Sequence, residues 1–288
     1  MSNFLDVRAL SGSGDVSCEV QIRSGTNINN YAPLSLDDLK SFIHGKDVLI
    51  GTHGFNVNRA DGIVTLSSWA ALLTLPASAV FVGLLWPGDS ESLHALSYPV
   101  EPKNATDAGN LLAPFLDANF QNVASVAFSS HSLGARVVLQ TISQMQLPVR
   151  RAILMAGAIG DDCLTSEFQD VQSKVEVISV LASKEDEVLR WAFPIGDLAS
   201  DFVDDDHPWW ESALGRFGPR KRPEHYLPPC QIPKEWKYGH SSYLQTDPPA
   251  AGPSPPDCRI PPQDPLPQGG APGWQEAWSA SFVSCRFK

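Results

Sequence analysis

Short apolar runs bounded by turn residues recur along much of the chain, with helical periodicity between them. DVLIG (residues 47–51), AVFVGLL (79–85), residues 123–128, residues 151–155 and VEVISVL (175–181) are each close to continuous in apolar side chains. Strands buried on both faces read this way. An earlier, alternating strand is expected at residues 18–22. Helices are expected at 62–75, ending before Pro76, at 133–145, and at 107–120, where Ala108, Leu111, Leu112, Phe115 and Leu116 fall at helical spacing. Strands and helices in alternation need crossover connections. The expected fold class is therefore α/β, with a mostly parallel central sheet and helices on both faces. Fold class by itself implies no activity.

With 288 residues, 43% of them hydrophobic, the chain can bury one substantial core. Residues 1–246 are read as one domain and 247–288 as a proline-rich C-terminal extension. Inside the domain, periodicity breaks down over residues 189–229. Trp191, Phe193, Phe202, Trp209, Trp210 and Phe217 stand there among prolines and acids, as in a lid-like insertion. The extension favours an extended backbone, but Trp274, Trp278, Phe282, Val283 and Phe287 follow its prolines and are expected to pack back on the domain.

The formal charge of −11 supplies no field to draw in a polyanion. Arg216, Arg220, Lys221 and Arg222 form the one dense basic cluster and read as a solvated loop, so no nucleic-acid partner is expected. The N-terminal MSNFLD has neither a basic segment nor an apolar stretch, and no run of about eighteen apolar residues occurs. No signal peptide, no membrane span and a cytoplasmic location are the expectations. Cysteines at 18, 163, 230, 258 and 285 are odd in number with no C-x-x-C spacing, as for free thiols in a reducing compartment. A disulfide among Cys230, Cys258 and Cys285 would require export.

The stretch that carries chemistry is VAFSSHSLGAR, residues 126–136. A buried strand runs into Ser-x-Ser-x-Gly and a helix follows, the setting in which a sharp turn lifts a nucleophilic serine, here Ser132, above the strand end. Small residues are needed two before and two after that serine, and Ser130 and Gly134 supply them. The first turn of the helix aims backbone N–H groups at developing negative charge. His53-Gly54-Phe55-Asn56 directly follows the DVLIG strand. Its Phe55 N–H and the Leu133 N–H are the candidate pair of oxyanion donors.

A serine nucleophile needs a base, and the base an acid that orients it. Acids cluster after VEVISVL in SKEDEVL. Asp186 is favoured there over Glu185 and Glu187, which read as solvated, and Asp204-Asp205-Asp206 is a further rival. Of the histidines beyond Asp186, His240 in YGHSSY is favoured, with His225 and His207 the others. His131 is expected to point away from the cleft and His53 to hold the oxyanion loop. His44 and His94 have no supporting context.

VLIGTHGFN, the WPGD turn, SHSLGARVV, SKEDEVL and GHSSYL together resemble the α/β-hydrolases, in particular a bacterial set with a His-Gly-Phe-Asn loop. The resemblance spans about residues 47–245 with the motifs in family order. It implies the α/β-hydrolase fold, the triad Ser132, Asp186 and His240, and an oxyanion hole at Phe55 and Leu133. Ser130 departs from the usual first glycine, and the proline-rich extension has no counterpart. The expected activity is a carboxylesterase or lipase-like serine hydrolase acting on small esters with apolar acyl groups. Amidase or peptidase chemistry on the same triad, or a non-catalytic scaffold of the same fold, are the alternatives. No cofactor and no metal are expected, since the chain has no zinc-ligand spacing and no Gly-Lys phosphate loop.

Overall fold

A computed structural model of the chain describes residues 1–9, 14–73, 75–89, 101–190, 212–221, 223, 230–232 and 238–244. Its elements are β1 (Ser2–Arg8), β2 (Val16–Gly25), β3 (Ala32–Pro33), α1 (Leu36–Ile43), β4 (Asp47–Thr52), α2 (Arg59–Leu72) and β5 (Ala79–Leu85). Then follow α3 (Glu101–Asn119), β6 (Ser125–His131), α4 (Gly134–Gln144), β7 (Val149–Met155), β8 (Val175–Ala182), α5 (Leu214–Phe217) and β9 (Cys230–Gln231). Among the described residues, nine strands form one sheet in the order β3-β2-β1-β5-β4-β6-β7-β8-β9. The β1–β2–β3 edge is antiparallel. Every other pairing, β1 with β5 included, is parallel.

The chain steps one way across the sheet from β4 to β5, and the other way from β5 to β6 and on to β8. Right-handed crossovers in opposite directions lie on opposite faces. That puts α2 on one face, with α3 and α4, which pack on each other, on the other. The reversal also opens a crevice between the carboxyl ends of β4 and β6, the usual ligand position in open α/β sheets. Thr52 is level with Ser130 across that pair, so the loop after β4 and the turn after β6 leave the sheet side by side.

Phe4, Phe81, Trp69, Phe120 and Phe128 are buried within the core about the central strands; full burial of an aromatic side chain contributes about 1.5–3 kcal/mol. α2 begins at Arg59 rather than at residue 62 because the Asn58 side chain accepts from Asp61 N at 2.9 Å, a cap three residues upstream of the first apolar face. α3 likewise starts at Glu101, earlier than its apolar periodicity. β1 lies in the middle of the sheet where no strand is expected from the sequence. Its run is interrupted by Asp6 and Arg8, both buried. β9 has only two residues and leaves no pattern to read.

Of the insertion, residues 212–221 and 223 are described, together with 189–190 at its start. α5 lies across the carboxyl ends of β7 and β8: Gly215 N donates to Gly157 O at 2.9 Å, and Gly215 O accepts from Ser183 N at 3.0 Å. Two residues of the basic cluster have partners, while Lys221 is exposed. Arg220 pairs with Asp161 at 2.7 Å, and the Arg216 guanidinium lies 4.8 Å from the Phe217 ring centre. Arg222, Trp191, Phe193, Phe202, Trp209, Trp210 and the whole extension from 247 lie outside the described residues. Cys18 and Cys163 are free thiols. Among the described residues, no helix is long and apolar enough to cross a membrane.

Candidate active site

β6 ends at His131, Ser132 takes a φ of 54°, and α4 starts at Gly134. A left-handed backbone is costly for a side-chain-bearing residue and persists only where its surroundings enforce it. Here Ser132 N donates to Met155 O at 2.9 Å and Ser132 O accepts from Ala135 N at 3.0 Å. The turn leaves no room behind it. A Cβ on Gly134 would stand 2.4 Å from His53 O, and one on Gly54 would stand 2.6 Å from Ser132 Cβ. Glycine is therefore required at both positions. Ser130 fits fully buried, although its hydroxyl finds no hydrogen-bond partner among the described residues.

The His240 ring stands between two side chains far apart in sequence. Its Nε2 is 2.8 Å from Ser132 Oγ, and its Nδ1 is 2.8 Å from Asp186 Oδ2. Asp186 is fully buried, and its second oxygen, Oδ1, accepts from Leu189 N at 2.9 Å. A carboxylate that only accepts assigns the proton to Nδ1, which leaves Nε2 as the acceptor facing the serine hydroxyl. The loops that carry the acid and the histidine are tied together: Ser183 Oγ donates to Tyr238 O at 2.7 Å. Glu187 is exposed and pairs with Arg190 at 3.2 Å, and Glu185 is half-buried. Asp204, Asp205, Asp206, His207 and His225 lie outside the described residues.

Two features depart from the sequence reading. Ser132, expected to be lifted above the strand end, is only 3% exposed, and the His240 side chain 14%. Gly54 and the His240 ring pack against Ser132 and cover most of it. His131, expected to point away from the cleft, turns onto the histidine loop instead. Its Nε2 donates to His240 O at 2.7 Å, and the two rings are 4.8 Å apart. Sequence position alone cannot give this orientation, because it depends on where the loop from residue 238 returns.

His53 is buried in the loop after β4. Its Nδ1 donates to Gly54 O at 2.9 Å, its carbonyl accepts from Trp86 Nε1 at 2.9 Å, and the Trp86 indole stacks on its ring. Asn56, at a φ of 57°, donates its N–H to Gly88 O at 2.6 Å. Between them Phe55 is half-buried. α4 starts behind Leu133, which makes no side-chain cap. Among the described residues, no group of three or more His, Cys, Asp or Glu side chains is placed to hold a metal ion.

Burial pushes both inner imidazoles down to about 3. For His53 the Gly54 carbonyl opposes this and Arg8 adds to it; for His131 the His240 ring is the second cause. Both rings are neutral when folded and titrate near 6.5 when unfolded. Between these values the unfolded chain binds more protons, so stability falls as pH drops below 6.5 and goes on falling toward 3. Each ring contributes a slope of at most about 1.4 kcal/mol per pH unit. Urea midpoints from pH 7 to 4 are expected to decline, and less steeply in His131→Asn by about one proton's worth. An unchanged slope in that variant would mean that His131 titrates normally in the folded protein.

Residues 36–199 match the family described as "Alpha/beta hydrolase of unknown function (DUF900)". The chain belongs to that family. The matched segment of this α/β hydrolase contains Phe55, Ser132, Leu133 and Asp186, while His240 and β1 to β3 lie outside it. No curated protein sequence matches the chain. Among solved structures, the α/β hydrolase is similar to esterase PE8 at 16% identity, over 69% of this chain and 86% of that one, with a TM-score of 0.37. It is similar also to the hyperthermophilic esterase of the archaeon Pyrobaculum calidifontis, at 14% identity over 62% and 70% of the two chains, TM-score 0.32. A third is the thermophilic esterase Est2 of the planctomycete Thermogutta terrifontis, propionate-bound, at 10% identity over 71% and 77%, TM-score 0.36.

Proposed function

We propose that this α/β hydrolase is a serine esterase that cleaves small carboxylic esters with apolar acyl groups, with Ser132 as nucleophile, His240 as base and Asp186 as the orienting acid. The observation that carries the reading is the unbroken chain of two 2.8 Å contacts, Ser132 Oγ to His240 Nε2 and His240 Nδ1 to Asp186 Oδ2, at the carboxyl end of a central parallel strand. A binding scaffold has no use for a strained serine, a ring nitrogen facing it and a buried carboxylate behind that ring.

The chemistry follows from the contacts. His240 takes the hydroxyl proton as Ser132 Oγ attacks the ester carbonyl, and Asp186 stabilises the imidazolium. The tetrahedral oxyanion is bound by Leu133 N–H at the uncapped start of α4 and by Phe55 N–H. His240 then protonates the departing alcohol, leaving an acyl group on Ser132. Water, deprotonated by His240, attacks that acyl carbon, and Ser132 recovers its proton. With Ser132 only 3% exposed, esters slender enough to reach a nearly buried hydroxyl are favoured.

The test is to incubate the purified protein with p-nitrophenyl esters of graded acyl length, p-nitroanilides of the same acids, and a fluorophosphonate probe. Ester turnover exceeding anilide turnover is expected, with the phosphonyl group mapped by mass spectrometry to the peptide containing Ser132. Folded protein that hydrolyses nothing and takes up no probe would point to the scaffold alternative. Anilide turnover in excess of ester turnover would make it an amidase.

A further inference from the structure

Charged side chains inside a central strand are costly unless fully engaged, and β1 buries two, Asp6 and Arg8. The Arg8 guanidinium does not stay within its own sheet edge. Its Nη1 donates to Trp86 O at 2.8 Å and to Val57 O at 3.2 Å, and its Nη2 pairs with Asp89. Trp86 and Asp89 belong to the WPGD turn after β5, and Val57 closes the HGFN loop after β4. One planar fork thus clamps the two loops together. The clamp spans a contact that the loops also make directly, Asn56 N to Gly88 O at 2.6 Å, one residue past Phe55.

Arg8 is itself held. Asp6 Oδ1 accepts from Arg8 N at 2.9 Å, and Asp6 Oδ2 accepts from Tyr31 Oη and from Arg59 Nε, each at 3.0 Å. Arg59 Nη2 donates onward to Arg8 O at 3.1 Å and Ala9 O at 3.0 Å. Burial and the facing Asp6 carboxylate keep the Tyr31 phenol protonated as that donor. Among the described residues, none of these side chains bonds to Ser132, His240 or Asp186. Among the described residues, the hydrogen bonds of the network approach the site through the backbone just after Phe55, at Asn56 and Val57.

We propose that Arg8 is a positioning residue for the oxyanion loop: by holding the Val57 and Trp86 carbonyls in one fork it sets where the Phe55 amide points. The inference rests on the esterase reading and adds to it a part of the site, β1, that lies outside the matched family segment. An oxyanion donor works only within about 2.7–3.1 Å of the developing charge, and displacement of a reacting group by about 1 Å can cost about 10²-fold. Lysine keeps the charge of arginine but not the planar fork that reaches three acceptors.

The experiment compares wild type, Arg8→Lys and Asp89→Asn on p-nitrophenyl butyrate and on its thiono analogue, in which sulfur replaces the carbonyl oxygen. Sulfur is a poor hydrogen-bond acceptor, so the thionoester reports the nucleophile and base with little help from the oxyanion donors. For Arg8→Lys the expected result is a kcat on the oxo-ester lower by about 10–100-fold. KM is expected within about threefold of wild type, because the interaction is made only in the transition state. Thionoester turnover should fall much less, so the oxo-to-thiono ratio collapses, and the pH profile should keep its midpoints. Asp89→Asn should move the ratio the same way by less, and it carries the test if Arg8→Lys does not fold. Equal losses on both substrates, a change in KM alone, or an unchanged ratio in an active variant overturns the proposal and leaves the esterase reading standing. A wild type inert to both esters and to the fluorophosphonate overturns the esterase reading, and this proposal with it.

Discussion

His240→Ala is expected to lower kcat on p-nitrophenyl esters by about 10⁶-fold, as much as Ser132→Ala does, with the double variant little worse than either. The two side chains act as one unit. Without the ring the Ser132 hydroxyl keeps its proton and is a poor nucleophile; without the hydroxyl the ring has nothing to activate. In the proposed mechanism the proton moves through the 2.8 Å contact between them. KM is expected to change little, since neither group is needed to hold the ground-state ester. Single-turnover kinetics with circular dichroism as a fold check makes the measurement, and His225→Ala provides the comparison. His225→Ala should keep most of its activity. A collapse in His225→Ala, with His240→Ala still active, would move the base to the other histidine.

Asp186→Asn should lower kcat by about 10⁴-fold while leaving KM and fold close to wild type. The asparagine can still accept from Leu189 N through its carbonyl oxygen, so the local turn survives. Its NH₂ then faces His240 Nδ1, where a carboxylate oxygen now stands at 2.8 Å. A donor there forces the imidazole proton onto Nε2, which can no longer accept from Ser132. The loss is one of tautomer rather than of position. A urea midpoint close to that of wild type with kcat down by orders of magnitude is the expected pair of observations. A decrease of less than about tenfold would assign the acid elsewhere, with the run at Asp204, Asp205 and Asp206 the first place to look.

How much was legible depended on whether the signal was local. β4, β5, β6, β7 and β8 are each short and buried over most of their length, and they show as apolar runs. The elbow showed because Ser-x-Ser-x-Gly between a strand and a helix is a local steric demand, and Gly134 meets it against the His53 carbonyl. β1 was missed because Asp6 and Arg8 break its apolar pattern. Nothing within seven residues of sequence says that Trp86, Val57, Asp89, Arg59 and Tyr31 will satisfy them. Phe4-Leu5-Asp6-Val7-Arg8 does carry one usable sign, polar residues alternating with apolar ones at strand period. The orientation of His131 gave no sign at all.

The sequence by itself determined the alternation of strand and helix, and hence the parallel sheet, together with the sharp turn at Ser132, because those follow from burial period and from the absence of a Cβ at Gly134. Only the tertiary structure decided which of several acids and histidines stand beside that serine, how deep it lies, and what holds the loop after β4. Those are distances between residues 50 to 110 positions apart, and a hydrogen bond over such a separation exists only once the sheet has brought its strand ends into line.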